Sequence, residues 1–357
     1  MHPYSNLPDK NFWKRFVTNS SWESIDLINP PKFDINASSK ISSAGSCFAQ
    51  HITKVFKKFG LSPYIVETPH PLSIEFGEST GSYNLFSARY GNIYTSRQCL
   101  ELLLQAIGEI PVIEDFVEEN HTFFDLLRPA SIPLGFSSLM ECKADRAYHL
   151  KKVRYMFETA DIFVFTLGLT ESWRNTNLNF TYPVCPGTVK GKYDPNKHSF
   201  HNLSYEEVKI DLEKIISILK IVNPNIKLIL TVSPVPLVAT YTKQNVLLAS
   251  SYSKSILRAV CGELDYAHEN VQYFPSFEIV NHICSFGQYL GEDLRDISQR
   301  GVNHVMDVFF KTFFKNGPKL QKNKLIANES DLTEIFNKNT TNHSNVECEE
   351  LYNDIKN

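Results

Sequence analysis

Apolar positions recur along the chain in two patterns, one typical of buried strands and one typical of amphipathic helices. Short runs predict strands over residues 41–44, 161–167, 226–232 and 271–274, and the run 161–167 is apolar on both faces, as in a covered parallel sheet. Helical spacing, with a capping box at Ser204 and Glu207, predicts helices over residues 47–59, 96–107, 144–159, 204–222, 243–269 and 301–314. This alternation predicts an α/β fold with a three-layer, doubly wound, flavodoxin-like and mostly parallel sheet. Active groups are then expected at the carboxyl ends of the strands.

The remaining segments define the predicted organisation of the chain. Residues 1–38 are interpreted as an arm that packs on the domain through its aromatic residues, Phe12, Trp13, Phe16 and Trp22. Residues 39–317 form the single predicted domain. Within it, the connection 175–202 is long and contains prolines and glycines, which is typical of a functional loop or a lid. Residues 318–357 are rich in Asn, Lys and Glu and are predicted to form a polar, flexible tail.

The composition limits the classes of function that fit. Lys and Arg total 36 against 39 for Asp and Glu, so the charge favours neither nucleic acid nor an anionic membrane as a partner. No apolar run approaches the roughly 20 residues that span a bilayer, and the N-terminus lacks a signal-peptide pattern. The seven cysteines include no CxxC pair, which favours neither a disulfide framework nor a metal site. We therefore expect a cytoplasmic protein without a membrane span.

Gly45, Ser46 and Cys47 lie between the first predicted strand and an amphipathic helix. A thiol at this junction sits at the sheet edge and at the positive end of the helix dipole, which favours the thiolate form. Backbone N–H groups at the helix start can also hold the oxyanion of an acyl-transfer intermediate. Gly45 permits the tight turn that brings a substrate close. Position alone fits a catalytic thiolate and a small buried helix residue equally well.

The string ISSAGSCFAQHI resembles the signature of the bacterial GSCFA family, which is grouped with the SGNH/GDSL hydrolases. The resemblance extends from about Ile41 to Phe314 and includes, in order, FSARYGNIYTSRQ, FVFTLGLTESW, VCPGTV, NPNIKLILTVSPVPLVATY, YSKSILR, YFPSFEI and GVNHVMDVFF. It implies an SGNH-hydrolase-like domain. In the Gly-Asp-Ser motif of SGNH enzymes the third residue is the nucleophile, so the resemblance assigns that role to Cys47, with Ser46 as the runner-up.

SGNH enzymes complete their oxyanion hole with a Gly and an Asn from two later blocks. The resemblance places the first at Gly91, with Asn92 beside it. The second block contains Gly168, but Thr170 occupies its Asn position. A Thr hydroxyl can donate one hydrogen bond, so the implied oxyanion hole is altered and not lost.

Two kinds of charged residue near these blocks have open roles. Glu171 either orients a base or caps a following helix. Arg89 and Arg295 are candidate contacts for an anion or a substrate, with a solvated or core-capping role as the alternative.

The expected base is missing from its usual position. The last SGNH block is Asp-x-x-His, and the matching stretch here runs from Asp293 to Asp296, with Asp where the His should stand. Other histidines are candidate bases, each with a structural or surface role as the alternative: His51, one helical turn after Cys47, His198 in the long connection, His282 after the last strand, and His304. A low-pKa thiolate depends less on a dedicated base than a serine does.

These features together predict an SGNH-like acyl-transfer enzyme that forms a covalent acyl-enzyme at Cys47 and acts on a small-molecule or glycan substrate. No resident cofactor is expected, and acetyl-CoA is the candidate acyl donor for transfer onto a glycan precursor. One alternative is a simple esterase that uses Ser46 or Cys47 with water as the acceptor. Another is a non-catalytic glycan-binding or assembly protein that has lost the usual His.

Overall fold

The chain forms nine strands within the part that the structure, a computed structural model, describes, namely residues 2–21, 27, 29–58, 62–69 and 83–314. The strands are β1 (Ile41–Gly45), β2 (Phe116–Glu119), β3 (Thr122–Asp125), β4 (Ile162–Leu167), β5 (Glu171–Asn175), β6 (Phe180–Tyr182), β7 (His198–Asn202), β8 (Lys227–Val232) and β9 (Val271–Phe274). The principal helices are α1 (Gln50–Lys58), α2 (Ser96–Ile107), α3 (Leu139–Thr159), α4 (Tyr205–Val222), α5 (Val246–Ala267), α6 (Ser276–Asn281) and α7 (Gln299–Phe313). Single turns at Pro3–Asn6, Asp9–Asn11, Trp13–Phe16, Cys47–Ala49 and Ile283–Ser285 complete the helical structure of these ranges.

Four parallel strands form the central sheet in the order β1-β4-β8-β9. The register sets Gly45 opposite Thr166 and sets Thr166 opposite Thr231. The carboxyl ends of β1, β4 and β8 therefore meet at one edge, where the loops after them converge. The Gly45–Cys47 turn therefore lies at the carboxyl edge of the parallel sheet, where the sequence predicts active groups.

Helices cover both faces of the sheet, because alternate strand residues point to opposite sides. Phe163, Phe165 and Leu230 pack against apolar residues of α2, α3, α4 and α5. Ile162, Val164 and Ile229 pack on the other face against residues of α1, α6 and α7. The result is a three-layer, doubly wound α/β domain, as the sequence predicts.

The helix boundaries follow local capping. Ser204 and Glu207 form the predicted capping box at the start of α4, and Thr95 with Gln98 forms a second one at α2. Helix α3 begins at Leu139, five residues before the predicted start, because the Ser138 side chain accepts a hydrogen bond from the N–H of Glu141.

The prediction that residues 175–202 form an irregular loop or lid is wrong in part. This segment contains β6 and β7, which pair with β5 as a three-stranded antiparallel sheet in the order β6-β5-β7. The strands form because Phe180 and Tyr182 are buried and Thr181 bonds to Glu101 of α2. A second antiparallel pair, β2 and β3, was not predicted; its turn holds Asn120 and His121 at positive φ.

The last residues of the N-terminal arm contact the domain. Ile35 is buried, Leu27 and Phe33 pack against the α1–α7 side of the core, and the N–H of Ile35 donates to the carbonyl of Phe313. Trp13 is exposed, and Trp22 lies outside the described residues. The whole predicted tail, 318–357, also lies outside them. Among the helices in the described ranges, none combines the length and the apolarity that a bilayer crossing needs.

Candidate functional site

The turn from β1 into α1 is held tightly against β4. The N–H of Ser46 donates to the carbonyl of Thr166 at 3.2 Å, and the N–H of Ala49 donates to the Ser46 carbonyl at 2.8 Å. Gly45 has φ +147°, and a Cβ there would lie 2.4 Å from the Thr166 carbonyl oxygen. Only glycine fits this position, because the side chain of any other residue would force β4 to move.

Ser46 occupies the N-cap position of the turn that begins at Cys47, yet its side chain makes no capping hydrogen bond. Serine at an N-cap normally accepts a bond from a backbone N–H in the first helical turn. Here the Ser46 hydroxyl is buried and has no hydrogen-bond partner among the described residues. A buried hydroxyl without a hydrogen-bond partner costs free energy, and a bound substrate that bonds to it would remove this cost.

Two further loops converge on this turn. The N–H of Ile93 donates to the Gly45 carbonyl at 2.8 Å, and Gln50 Nε2 donates to Asn92 Oδ1 at 3.1 Å. Gly168 approaches from the end of β4, where a Cβ would lie 3.1 Å from the Cβ of Ser46. The structure therefore brings Ser46, Cys47, the Gly91–Asn92 loop and Gly168 together.

The groups assigned to the oxyanion hole in the second block are already engaged. The Gly168 N–H donates to the Tyr94 carbonyl at 2.9 Å. The Thr170 hydroxyl donates to Asn202 Oδ1 at 2.6 Å, and the Thr170 N–H donates to Ser253 Oγ at 2.9 Å. In the turn, the N–H groups of Ser46 and Ala49 are engaged as well. A backbone oxyanion donor at this site would therefore come from Cys47 or Phe48, at the start of the helix.

Lys254 is a charged residue of the site that the sequence analysis missed. It lies on the buried face of α5, with 5% of its surface exposed, and its Nζ donates to the Gly168 carbonyl at 2.6 Å. Lysine is almost never buried without a specific partner. The sequence signal was its position in an apolar stripe with Leu257 and Cys261, where a charged side chain is out of place.

Glu171 is hydrogen-bonded to the loop after β8. Its Oε1 accepts from the Thr240 hydroxyl at 2.5 Å, and its Oε2 accepts from the N–H of Tyr241 at 3.1 Å. Both carboxylate oxygens are thus bonded to the loop after β8. In this conformation Glu171 positions a loop.

Arg89 lies in a buried ionic network and not at the turn. Its guanidinium pairs with Asp145 at 2.8 Å and packs over the ring of Tyr83. The backbone N–H of Arg89 donates to a carboxylate oxygen of Glu67, which is also hydrogen-bonded to His149. Burial alone would raise the pKa of Glu67, but His149 and the arginines nearby lower it to about 2.

His198 begins β7 at the far end of the small sheet. It pairs with Asn175, four positions along β5 from Glu171, which is about 13 Å at the usual rise of a strand. Its Nδ1 accepts from the N–H of Asp194, and its ring packs edge-on against Tyr182. These contacts tie His198 to the small sheet.

His304 and His282 both pack against Tyr289. The His304 ring stacks on Tyr289 with centroids 5.1 Å apart, and the His282 ring lies 6.3 Å away, edge-on. Among the described residues, Nε2 of His304 and both ring nitrogens of His282 are buried without a hydrogen-bond partner. Burial lowers the pKa of both histidines, so both are neutral near pH 7.

The packing places this pair on the same side of the sheet as the turn. Tyr289 belongs to the apolar cluster that also contains Phe48, the residue after Cys47, and Val235. The ring of His51 packs against the ring of Phe48, with centroids 5.6 Å apart. Burial, and to a smaller extent the positive charge of Lys54, lowers the pKa of His51 to about 4.

Asp293 forms a turn just before α7. Its Oδ1 accepts from the N–H groups of Arg295 at 3.1 Å and of Asp296 at 2.9 Å, and Asp293 itself is exposed. Arg295 Nη1 lies 3.4 Å from Asp296. Partial burial and then the charge of Asp293 raise the pKa of Asp296. One Asp293 oxygen thus holds its own turn.

A small cavity and a larger pocket adjoin the turn. The turn cavity, about 10 Å³, accommodates a single water and is lined by Ser46, Cys47, Tyr94, Gly168, Leu169, Ser233, Val235, Pro236 and Leu237. The aromatic pocket, about 390 Å³, is lined by Leu169, Glu171, Ser172, Trp173, Pro183, Val184, Cys185, Thr188, Tyr193, Phe200, Leu237, Ala239, Thr240 and Tyr241. Leu169 and Leu237 line both, so the two spaces share a wall.

Comparison with known proteins gives one result for this chain. The model of the GSCFA family matches residues 40–309. The match covers β1 to most of α7, and therefore the turn and every loop that converges on it. A search of curated proteins finds no match.

Proposed function

This chain belongs to the GSCFA family, and we propose that it is an SGNH-type acyl-transfer enzyme with Cys47 as its nucleophile. The observation that carries the proposal is the placement of Cys47 and the idle Ser46 hydroxyl at a helix start, at the carboxyl edge of a parallel sheet. Backbone N–H groups and the helix dipole favour an anion there.

The proposed reaction proceeds through a thioester. The Cys47 sulfur attacks the acyl carbonyl carbon, a C–S bond forms, and the carbonyl oxygen becomes an oxyanion held by N–H groups of the turn. The bond to the leaving alcohol or thiol then breaks, and the leaving group takes up the proton. An acceptor hydroxyl, from a glycan or from water, attacks the thioester and loses its proton, and Cys47 is regenerated.

His304 is the proposed proton carrier. Its buried Nε2 has no partner among the described residues, burial keeps its ring neutral, and its stacking on Tyr289 ties it to the cluster that holds Phe48. A neutral imidazole can accept a proton and return it in the second step. Lys254 supports the site from the other side, because its ammonium group holds the Gly168 carbonyl next to Ser46.

A second candidate function is a serine esterase in which Ser46 is the nucleophile and water is the acceptor. The unpartnered Ser46 hydroxyl favours it specifically. In the Cys47 mechanism the same hydroxyl instead donates to the substrate or to the oxyanion.

The test measures p-nitrophenyl acetate hydrolysis and acetyl-CoA turnover by the wild type and the Cys47→Ala, Cys47→Ser and Ser46→Ala variants. We expect Cys47→Ala to lower kcat by at least about 10³-fold, as loss of a nucleophile does. Ser46→Ala should retain kcat within about tenfold, as loss of one hydrogen bond does.

The opposite result, with full activity in Cys47→Ala and none in Ser46→Ala, would assign the reaction to Ser46. If no acyl donor is turned over by the wild type while glycans bind, the chain is a binding protein and the acyl-transfer proposal is wrong. Circular dichroism of each variant controls for folding.

A further inference from the structure

The aromatic pocket is built around Trp173 on β5. Phe200 lies 5.7 Å from its ring on the neighbouring strand, Tyr193 lies 5.5 Å away, and Tyr241 lies 4.7 Å away, all at steep interplanar angles. Edge-to-face packing of this kind fixes the rings in place. The pocket is therefore a preformed cavity with rigid, apolar walls.

Several polar groups of the walls are hydrogen-bonded within the protein. The Ser172 hydroxyl donates to the carbonyl of His201, the Thr188 hydroxyl donates to the carbonyl of Cys185, and Glu171 is bonded to Thr240 and to Tyr241. Burial raises the pKa of the Cys185 thiol to about 11, so this group stays neutral.

The lining also lacks a group for an anion. Among the described residues that line the pocket none is Lys, Arg or His. A phosphate or a diphosphate would enter without a counter-charge and would face Glu171, which is unfavourable. An uncharged apolar group, in contrast, gains free energy by leaving water for these walls.

The position of the pocket links it to the turn. Leu169 follows Gly168, Leu237 lies in the loop after β8, and both residues line the turn cavity and the aromatic pocket. The aromatic pocket therefore lies directly beyond these two leucines from a carbonyl group held at Ser46 and Cys47.

From this arrangement we infer that the aromatic pocket binds the apolar acyl chain of the substrate, so that the donor is a medium-chain acyl ester or thioester and acetyl is a poor substitute. The inference rests on the proposed function for the reaction, but the binding of the chain is a separate property of the pocket.

One experiment compares p-nitrophenyl acetate, butyrate and octanoate in the wild type and in Ala239→Trp. Ala239 is exposed at the pocket, so a Trp there fills its mouth without disturbing the core. We expect kcat/KM of the wild type to rise by up to about 4-fold per methylene buried. Ala239→Trp should remove this gain with chain length, whereas the control variant should keep the gain. Ala147→Trp, at an exposed position of α3, is the matched control.

A binding measurement separates the pocket from the reaction. Calorimetry measures the binding of three probes. Octanamide carries an apolar chain, acetamide has the carbonyl group without the chain, and methyl glucoside presents a sugar ring. We expect octanamide to bind at least about 100-fold more tightly than acetamide, and Ala239→Trp to abolish the difference.

Octanamide binding without turnover of any ester would uphold the pocket and reject the proposed function. Binding of methyl glucoside without octanamide would overturn the inference and make the pocket a sugar site. Binding of neither probe would overturn it as well.

Discussion

Ser46 and Cys47 place a hydroxyl and a thiol one residue apart at the start of the same turn. The Ser46 hydroxyl leaves its capping role unfilled and is buried without a partner among the described residues. The thiol has the intrinsic advantage as a nucleophile, because a cysteine is the least dependent on activation by a base. With no Asp-x-x-His pair in the last block, this advantage favours Cys47.

Replacing His304 with Ala tests the proposed proton carrier. We expect kcat near pH 7 to fall by about 10²- to 10⁴-fold, the usual contribution of general acid–base catalysis. Because burial lowers the pKa of His304 below 6.5, wild-type activity should stay high at pH 6.5 and fall only at lower pH, as the ring becomes protonated.

His51→Gln is the control for this prediction, since His51 packs on Phe48 at the same face. It should keep its activity and the acidic fall. A His304→Ala variant with the wild-type rate and the same fall at low pH would exclude His304 as the base.

At the level of elements, the junction of β1 and α1 depends on one glycine. Gly45 combines a φ of +147° with a neighbouring carbonyl oxygen 2.4 Å from any Cβ. Gly108, which ends α2, also has positive φ at +84°, but nothing lies within 4 Å of its Cβ position. A substitution at Gly108 therefore introduces backbone strain alone, whereas one at Gly45 adds a steric clash to it.

Gly45→Ala should lower the free energy of unfolding by at least about 3 kcal/mol, the sum of backbone strain and overpacking. Gly108→Ala should lower it by about 1 kcal/mol, from backbone strain alone. Urea unfolding followed by circular dichroism measures both. Equal losses would mean that β4 yields readily at Thr166 and that the turn is not held rigidly.

Elements with a strong local signal were predictable from the sequence. Helix α2 and strand β9 have the predicted bounds, and the capping box at Ser204 fixed the start of α4. The strands within 175–202 were not predicted, because β6 has only three residues and β7 pairs with β5, which is distant in the sequence. Such strands depend on tertiary contacts more than on local propensity.

Across the whole molecule, the part of the site carried by recognisable sequence blocks was predictable, and the part that depends on helix packing was not. The turn at Gly45–Cys47 and the nearby Gly91–Asn92 and Gly168 blocks converge as the order of strands requires. The role of Lys254 depends on how α5 packs over β4, which no local pattern specifies.

Protonation of buried histidines is expected to limit stability in acid, and His51 gives the clearest case. Its pKa is about 4 in the folded chain and 6.5 when exposed, so the unfolded state binds more protons between these values. The free energy of unfolding should therefore fall as the pH falls through this window, by up to about 1.4 kcal/mol per pH unit from this one group.

Urea unfolding at pH 7, 6 and 5 compares the wild type with His51→Gln. The variant should lose stability less steeply, by about 1 kcal/mol per pH unit between pH 6 and 5. Parallel curves for the two proteins would show that His51 titrates in the folded chain as it does in water.

The most direct measurement of the Cys47 mechanism is mass spectrometry of the chain after brief reaction with p-nitrophenyl octanoate and quenching in acid. We predict one acyl group on the peptide that contains residues 45–49, removed by neutral hydroxylamine as a thioester is, and absent in Cys47→Ala. An acyl group that persists in Cys47→Ala and resists neutral hydroxylamine would place the intermediate on the Ser46 oxygen and contradict a thiolate mechanism.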